Sequence, residues 1–274
     1  MTIAHTIARP RYAGAFANEI GRGLRGLVSG WRETLVEMLT FPLFYLLIVL
    51  FMGRGQLRAE LLLPTLAGMV ALTFIHEQVN RAFWGYQGDI QSGVLEQVYL
   101  TRLPSAVVVL GRQVAAAAGA LPTALAVLLA GHVSITLAGG EIRYSVAALL
   151  PVAAIALGTA GLALVLCGLT LCFKRIEVIP HASVAVYAIA GGTLVPLTAM
   201  PDWAAFGARL LVPIAPGVEA LRGILLGGDP AAALNAGWGL GWLLLQPLLI
   251  LAAGIAVFAR FEGLAKKRGT LGRY

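Results

Sequence analysis

The longest polar stretch of the chain, residues 81–104, carries the side chains best suited to contact with a partner. Asp89 and Glu96 are its acids, and Pro104 ends it. Apolar side chains recur within it at the spacing of one helix face, at Ile90, Val94, Leu95 and Val98. This pattern predicts a short amphipathic helix with a surface for a partner protein, and a solvated interfacial loop is an equal alternative.

A second group of ionisable side chains stands at the end of the apolar run that precedes this stretch. Glu77 and Arg81 are four residues apart, in the order that favours an ion pair on one helix face. Their position near the end of the run lets both side chains reach the membrane interface. We therefore predict a structural ion pair at the membrane edge, with a proton relay as the alternative.

Motifs of catalysis and of cofactor binding are missing from the sequence. It contains no Gly-rich phosphate-binding loop of the Walker type, no His-Glu-x-x-His and no Gly-x-Ser-x-Gly. His132 has no second histidine or carboxylate nearby at ligand spacing. These observations predict a chain that is not an enzyme and that has no catalytic, cofactor-binding or metal-binding residues of its own.

The composition is that of a membrane protein. Of the 274 residues, 59% are hydrophobic and 12% are charged, whereas a soluble domain is usually about 25% charged. A backbone in lipid must satisfy its own hydrogen bonds, so the apolar runs predict an all-α polytopic membrane protein. The net charge of +7 then reflects membrane topology and not a nucleic-acid partner.

Six apolar runs are long enough to cross a bilayer, which takes about 20 residues each. The predicted transmembrane helices cover about 34–52, 61–84, 105–137, 144–173, 178–194 and 232–258. Residues 11–32, before the first of them, show an amphipathic pattern with arginines on one side, which predicts a helix that lies in the membrane interface.

Residues 196–230, between the fifth and sixth predicted spans, are apolar in part but are broken by prolines and glycines into short pieces. The pattern predicts two short helices that enter the membrane and return, and a surface amphipathic loop is the alternative. Within this segment Glu219 and Arg222 are three residues apart, which predicts an ion pair on one short helix.

The placement of lysine and arginine predicts the orientation. In the six-span arrangement 15 of the 20 basic residues lie on the side of the N-terminus. The other five are Arg54, Arg58, Arg143, Arg209 and Arg222. Because cytoplasmic segments are enriched in basic residues, both termini and the connection 85–104 are predicted to be cytoplasmic.

Two motifs resemble the membrane subunits of ABC-2 type ATP-binding-cassette transporters. Residues 91–104 read Gln-Ser-Gly-Val-Leu-Glu-Gln-Val-Tyr-Leu-Thr-Arg-Leu-Pro. They are similar to the family's Gly-Thr-Leu-Glu-x-Leu pattern followed by Thr/Ser-Pro, with Val94 in place of the usual Thr. Residues 213–222 read Pro-Ile-Ala-Pro-Gly-Val-Glu-Ala-Leu-Arg, like the family's proline-rich lead into Glu-Ala-Leu-Arg. The resemblance covers nearly the whole chain, as one transmembrane domain over residues 1–274.

The resemblance implies the permease subunit of an ATP-driven exporter in the plasma membrane. Such a subunit pairs with a second permease subunit, identical or paralogous, within membrane lipid. It docks on a separate cytoplasmic ABC ATPase subunit, which carries the ATP and Mg. The connection 85–104 would supply the coupling helix that meets the ATPase. Its contact residues would be Asp89, Ile90, Val94, Leu95 and Glu96.

The same resemblance implies that residues 196–230 form an extracellular re-entrant gate, with Pro213, Glu219 and Arg222 as gate residues. The apolar spans favour a hydrophobic or amphiphilic substrate, either a drug-like molecule, a lipid or a lipid-linked molecule. A membrane anchor or scaffold without a transport path and a secondary transporter are the alternative functions.

Overall fold

The computed structural model describes residues 12–100, 105–173 and 178–268, and within these ranges all regular structure is helical. The helices are α1 (Tyr12–Ser29), α2 (Trp31–Met52), α3 (Ala59–Gln91), α4 (Val94–Leu100), α5 (Ser105–Leu137), α6 (Leu149–Cys172), α7 (Val178–Ala190), α8 (Asp202–Leu211), α9 (Ala215–Leu225), α10 (Pro230–Leu234) and α11 (Gly239–Arg268). Residues 101–104, which end the first ABC-2-like motif, lie outside the described residues.

The protein is an all-α membrane protein. Among the described residues, α2, α3, α5, α6 and α11 are long and apolar enough to cross a bilayer. The predicted fifth span, 178–194, differs: its helix α7 has 13 residues, about 20 Å at 1.5 Å per residue. Backbone turns follow at Gly191 and Gly192, where Gly192 has φ +77°, a conformation that glycine adopts without strain.

The predicted interfacial helix 11–32 ends earlier than expected. Gly30 separates α1 from α2, so Trp31 and Arg32 begin the first long helix instead of ending the amphipathic one. The helix α1 packs along α5. Gly111 of α5 provides the room for this contact, because a Cβ there would lie 2.8 Å from the Cβ of Glu19.

The second predicted span ends seven residues too early at 84. Helix α3 continues to Gln91, so the first part of the predicted connection 85–104 is helical. Gly85 and Gly88 favour a break here, yet Tyr86 and Ile90 are buried against the neighbouring helices. Tertiary burial of this face outweighs the low helix propensity of glycine.

The remaining boundaries follow the sequence with two exceptions. The predicted span 105–137 coincides with α5, and Pro122 is accommodated within it. The span predicted at 144–173 begins with a 3-10 turn before α6. The sixth predicted span, 232–258, differs from the helix that contains it: α10 and a turn come before the long helix α11, which begins at Gly239 and continues to Arg268.

Helix α3 forms the centre of the bundle and contacts α2, α5, α6, α7 and α9. Most of its side chains between Leu62 and Phe83 are buried. Tyr45 of α2 is fully buried and donates its hydroxyl to the carbonyl of Leu62 at 3.0 Å. This bond satisfies a polar group that would otherwise be buried without a partner.

Helices α6 and α11 run parallel and touch through their backbones. A Cβ added to Gly161 would lie 2.6 Å from the carbonyl oxygen of Ile250, and one added to Gly168 would lie 3.1 Å from the Cα of Phe258. Since both residue numbers rise together along the contact, the two helices point the same way. Glycine at the contact lets the helix backbones approach closely, as small residues do in membrane helix pairs.

The α6–α11 contact predicts the effect of one methyl group. In the Gly254→Ala variant the new Cβ meets the carbonyl oxygen of Gly161, whereas Gly263 in the same helix has open space around it. We expect Gly254→Ala to destabilise the protein by about 1–3 kcal/mol, the usual cost of overpacking. The measurement is the apparent Tm of the purified protein in detergent, with Gly263→Ala as the matched control. An equal Tm for the two variants would contradict the close contact.

Candidate functional site

The polar stretch identified in the sequence forms the end of α3 and the short helix α4, joined by a turn at Ser92 and Gly93. Gly93 has φ +72°, which allows the sharp change in direction between the two helices. Gln91, Ser92 and Gln97 are exposed on this turn and on α4. The stretch therefore presents uncharged polar side chains at one end of an otherwise apolar bundle.

Helix α4 is anchored to the ends of α3 and α11. Leu95 is 3% exposed and packs with Tyr86 of α3. The hydroxyls of Tyr86 and Tyr99 are 3.4 Å apart, and the Nζ of Lys266 lies 4.7 Å from the centre of the Tyr99 ring. Burial raises the pKa of Tyr99 to about 12, so its hydroxyl keeps its proton at neutral pH.

One hydrogen bond ties α11 to the start of α5, and a second one within α11 supports it. Ser105 donates its hydroxyl to Glu262 at 2.6 Å, and Glu262 also accepts from Lys266 at 2.6 Å. The ends of α3, α4, α5 and α11 are thus held together by hydrogen bonds and packed rings. Side-chain contacts thus run from α4 to α3 and α11, and from α11 to the start of α5.

The predicted contact residues divide between this surface and the interior. Ile90 and Leu95 are buried within the chain, at 7% and 3% exposure. Val94 is half-buried, and the Glu96 side chain lies outside what the structure describes. Asp89 points to other helices of the same chain, as described next. A partner would therefore meet the exposed residues between Ile90 and Leu95, and the two apolar residues support the helix from below.

Asp89 belongs to an ion cluster that joins α1, α3 and α5. It accepts a hydrogen bond from Arg112 of α5 and lies 3.7 Å from the guanidinium of Arg22 of α1. Glu19 of α1 lies 3.2 Å from Arg22 and 3.5 Å from Arg112. Two carboxylates and two arginines alternate, so each charge faces an opposite one, and α1 is fixed to the bundle by this cluster as well as by packing.

Arg22, Asp89 and Arg112 line an open cleft of about 360 Å³ between α1, α3 and α5, and Arg81 lies on its far wall. Arg81 and Glu77 form the ion pair expected from the sequence. Its surroundings differ from the expectation, because α3 continues for ten residues beyond Arg81, about 15 Å of helix. Glu77 is 3% exposed, whereas the Arg81 side chain is 30% exposed, so the acid is buried and its partner faces the cleft.

A second carboxylate lies close to the guanidinium of Arg81. Glu37 of α2 is 4.0 Å from the guanidinium of Arg81. Next to this pair, the side chains of Asn80 and His76 are 3.1 Å apart. Sequence reasoning missed Glu37 because it belongs to a different apolar run, 40 residues from Glu77. Two carboxylates, Glu37 and Glu77, therefore share the guanidinium of Arg81 at the α2–α3 contact.

The predicted Glu219–Arg222 ion pair is wrong. Glu219 pairs instead with Arg209 of α8 in a two-pronged contact at 2.7 and 3.0 Å. Arg222 donates to the carbonyl oxygens of Pro64, at 3.0 Å, and of Gly192, at 2.6 Å. The planar guanidinium of Arg209 matches both carboxylate oxygens, while Arg222 supplies donors to carbonyls at the ends of α3 and α7.

The segment that contains these arginines is a bent pair of helices. Helices α8 and α9 meet at an angle of 106°. Pro213 lies in the bend and packs against Gly158 of α6, where an added Cβ would be 2.8 Å from the Pro213 Cβ. Gln246 of α11 donates to the carbonyls of Arg209 and Val212 at 2.8 and 3.1 Å. The bend is thereby enclosed by the bundle and its carbonyls are satisfied.

Metal binding finds no support in the geometry. In the ranges 12–100, 105–173 and 178–268, no group of three or more His, Cys, Asp or Glu side chains could hold a metal ion. Cys167 and Cys172 are free thiols there.

The docking of α1 on α5 predicts a selective effect of glycine substitutions. A Cβ at Gly23 would meet the Cβ of Ala115, whereas Gly21 has open space around it. We expect Gly23→Leu to lift α1 from α5 and to speed tryptic cleavage at Arg22 and Arg25, because a helix that loses its packing and the ion cluster together unfolds more readily. The measurement is the rate of tryptic cleavage of the purified protein at these arginines, with Gly21→Leu as the control. Equal rates would show that α1 is not held by this contact.

Comparison with known proteins does not assign the chain to a family. No protein-family model matches the chain, and no curated protein matches it either.

Proposed function

We propose that this chain is the permease subunit of an ABC-2 type exporter, driven by a separate cytoplasmic ATPase. The observation that carries the proposal is the short helix α4 at the end of the central helix α3, within the first of the two ABC-2-like motifs. Among its described side chains Gln97 is exposed, and Leu95 and Tyr99 pack with residues of α3 and α11. A rigid, exposed helix of this kind suits a surface that receives motion from a partner.

The parallel arrangement of α6 and α11 supports six crossings. Because both helices point the same way, the chain has to return across the bundle between Phe173 and Gly239. Helix α7 makes this return along α3: His181 lies beside Trp84, and Thr193 lies beside Gly68. The short helix α7 would thus be the fifth span. An even number of crossings leaves both termini on the same side, which the distribution of basic residues predicts to be cytoplasmic.

The bent pair α8–α9 supports the re-entrant gate at the other end. The bend contacts Gly158, which is nine residues, or about 14 Å, into α6. Arg222 at the far end of α9 reaches the Pro64 carbonyl near the start of α3. The two helices would enter the membrane from the extracellular side and cap a path formed with a second permease subunit.

Motion would pass from the ATPase to the gate through α3. In the proposed cycle, ATP binding draws two ATPase subunits together and displaces α4. Helix α3 connects α4 at one end with Arg222 at the other, since the Pro64 carbonyl accepts from this arginine. A displacement of α3 therefore acts directly on α9, which is the kind of two-state element that a ligand can bias.

The Glu37–Arg81–Glu77 group favours a second candidate, an ion-coupled secondary transporter. Acids buried within membrane helices are typical of proton pathways. The sequence had predicted a structural pair at the membrane edge. In the structure Glu77 lies more than ten residues before the end of α3, which weakens the argument for a purely structural pair. The ATPase test below separates the two candidates.

The six-span topology predicts the labelling of single cysteines in intact cells. Gln56 lies exposed in the turn between α2 and α3, and Gln97 lies exposed on α4. In a background with Cys167 and Cys172 replaced by alanine, we expect Gln56→Cys to react with a membrane-impermeant thiol reagent and Gln97→Cys to react only after permeabilisation. The reverse pattern would invert the orientation, and reaction of both in intact cells would refute it.

The role of α4 predicts the behaviour of Glu96→Ala. The tagged chain, isolated from its native membrane, should co-purify with a vanadate-sensitive ATPase, although the chain alone should not bind ATP because it has no phosphate-binding loop. We expect Glu96→Ala to retain less ATPase, since loss of one partner of a desolvated charge pair costs about 2–5 kcal/mol. The control is Glu60→Ala, at the start of α3 and at the opposite end of the bundle. If wild-type protein retains no ATPase, the exporter proposal fails.

A further inference from the structure

The open cleft of about 360 Å³ between α1, α3 and α5 has no role in the proposed transport cycle. Its charged lining residues are Arg22, Arg81, Arg112 and Asp89. The other described residues that line it are small or apolar: Gly23, Gly26, Leu27, Gly85, Ala115 and Ala116. Three guanidinium groups and one carboxylate therefore border a space that glycine and alanine leave free.

Two of these arginines are accessible from the cleft. The side chains of Arg22 and Arg81 are 47% and 30% exposed. Glu19 pairs with Arg22, and Glu77 and Glu37 approach Arg81, but none of these three acids lines the cleft. Within the described part of the chain, no hydrogen bond uses the Nη1 group of either arginine. Both therefore keep N–H donors that a ligand can reach.

The charge of the cleft favours an anion. Asp89 supplies the carboxylate of the lining, and it accepts a hydrogen bond from Arg112, whose side chain is 12% exposed. These two charges compensate each other, so the excess positive charge comes from Arg22 and Arg81. An ammonium group would meet these guanidiniums beside a carboxylate that already has a partner, which disfavours a zwitterionic headgroup.

An apolar groove of about 340 Å³ lies next to the cleft, between α1, α2 and α5. Leu27 lines both spaces. The described lining of the groove includes Trp31 and Leu35 and has no charged side chain. On α5 the cleft extends to Ala116 and the groove to Pro122, about 9 Å further along the helix. The polar space thus gives way to an apolar one within two turns of α5.

This order matches a lipid that extends from the membrane surface into the hydrocarbon. The cleft lies nearer the start of α5 at Ser105, the end that is predicted to be cytoplasmic, and the groove lies deeper. Val28 and Trp31 border the groove and are 75% and 54% exposed, so in a membrane this side is open to lipid. Basic pockets between membrane helices near the cytoplasmic surface suit anionic headgroups.

We propose that the cleft and the groove together bind one phospholipid with a net negative charge. Its phosphodiester accepts hydrogen bonds from Arg22 and Arg81, since guanidinium groups match the geometry of phosphate oxygens. One acyl chain lies along Leu27, Trp31 and Leu35. The site does not depend on ATP-driven export, because none of its described lining residues belongs to α4 or to the bent pair α8–α9.

The test compares two photoreactive phospholipids that carry the same diazirine-labelled acyl chain. One is phosphatidylglycerol, which is anionic, and the other is phosphatidylcholine, which is zwitterionic. Each is irradiated with the full chain in phosphatidylcholine nanodiscs without nucleotide, and labelled peptides are identified by mass spectrometry. We expect labelling of residues 27–38 and 118–122 to favour phosphatidylglycerol by about fivefold, in line with the contribution of one basic residue at an anionic membrane surface.

Two pairs of variants separate this site from general attraction of anionic lipid. Arg22→Gln should remove most of the preference, whereas Arg25→Gln, which removes the same charge from α1 outside the cleft, should keep it. Gly85→Leu should fill the cleft and abolish the preference. Gly88→Leu is its control on α3, because a Cβ at either glycine has open space around it but Gly88 does not line the cleft. If Gly85→Leu does not fold, the arginine pair still decides, since both arginines are exposed.

Equal labelling of the wild-type protein by the two lipids would overturn the proposal. An equal loss of preference in Arg22→Gln and Arg25→Gln would overturn it too, because the attraction would then come from the whole basic face of α1. An excess of inorganic phosphate should not displace the phosphatidylglycerol probe, since phosphate cannot use the groove; displacement would show that the ligand is a soluble phosphate compound and not a lipid. The measurement needs no ATPase, so its failure leaves the exporter proposal untouched.

Discussion

A main-chain carbonyl buried among apolar helices has no water to accept from, and the irregular parts of this bundle are arranged around that constraint. Gln246 of α11 donates to carbonyls at the end of α8. Arg222 donates to the carbonyl of Gly192, after the end of α7. Trp242 also donates to the carbonyl of Arg209, at 2.9 Å, and the N–H of Ala215 to that of Val212, at 3.2 Å. Long polar side chains thus permit the chain to bend inside the bundle.

Small residues set how closely the helices approach. Gly161 and Gly254 bring the backbones of α6 and α11 into contact, and Gly158 admits the bend at Pro213. Gly68 lies directly against the backbone at Thr193, where the chain turns after α7. A Cβ at any of these positions would meet main-chain or proline atoms, so glycine at 68 and 158 lets the turn after α7 and the bend at Pro213 lie directly against the long helices.

Two groups of charged side chains join helices at opposite ends of the bundle. The Glu19–Arg22–Asp89–Arg112 cluster fixes α1 across the ends of α3 and α5. At the other end, Arg209–Glu219 joins the two halves of the bent pair. Both groups connect elements that the proposed transport cycle would move as units. In that cycle the cluster would make α1 move with the ends of α3 and α5, and the second pair would make α8 and α9 move together.

The amino-acid sequence by itself determined the class of protein and the features that depend on neighbouring residues. Apolar runs of bilayer length predicted the long helices, and α5 has the predicted bounds because Pro104 precedes it and Gly139, with φ +76°, follows it. The Glu77–Arg81 pair was predictable because i,i+4 spacing brings these side chains together on any helix. The burial of Tyr86 and Ile90, which extends α3, depends on other helices and cannot be predicted from neighbouring residues in the sequence.

Only the tertiary structure decided which distant polar groups meet. Glu219 forms its ion pair with Arg209 and not with Arg222, because the bend at Pro213 turns α8 back toward α9. Gln78 and Gln113 are 35 residues apart, and Glu19 and Arg112 are 93 apart. No local periodicity encodes such pairs, since they depend on how helices pack after each has formed. The contact between the two glutamines and the ion cluster therefore follow from helix packing, and the long helices themselves follow from the run lengths in the sequence.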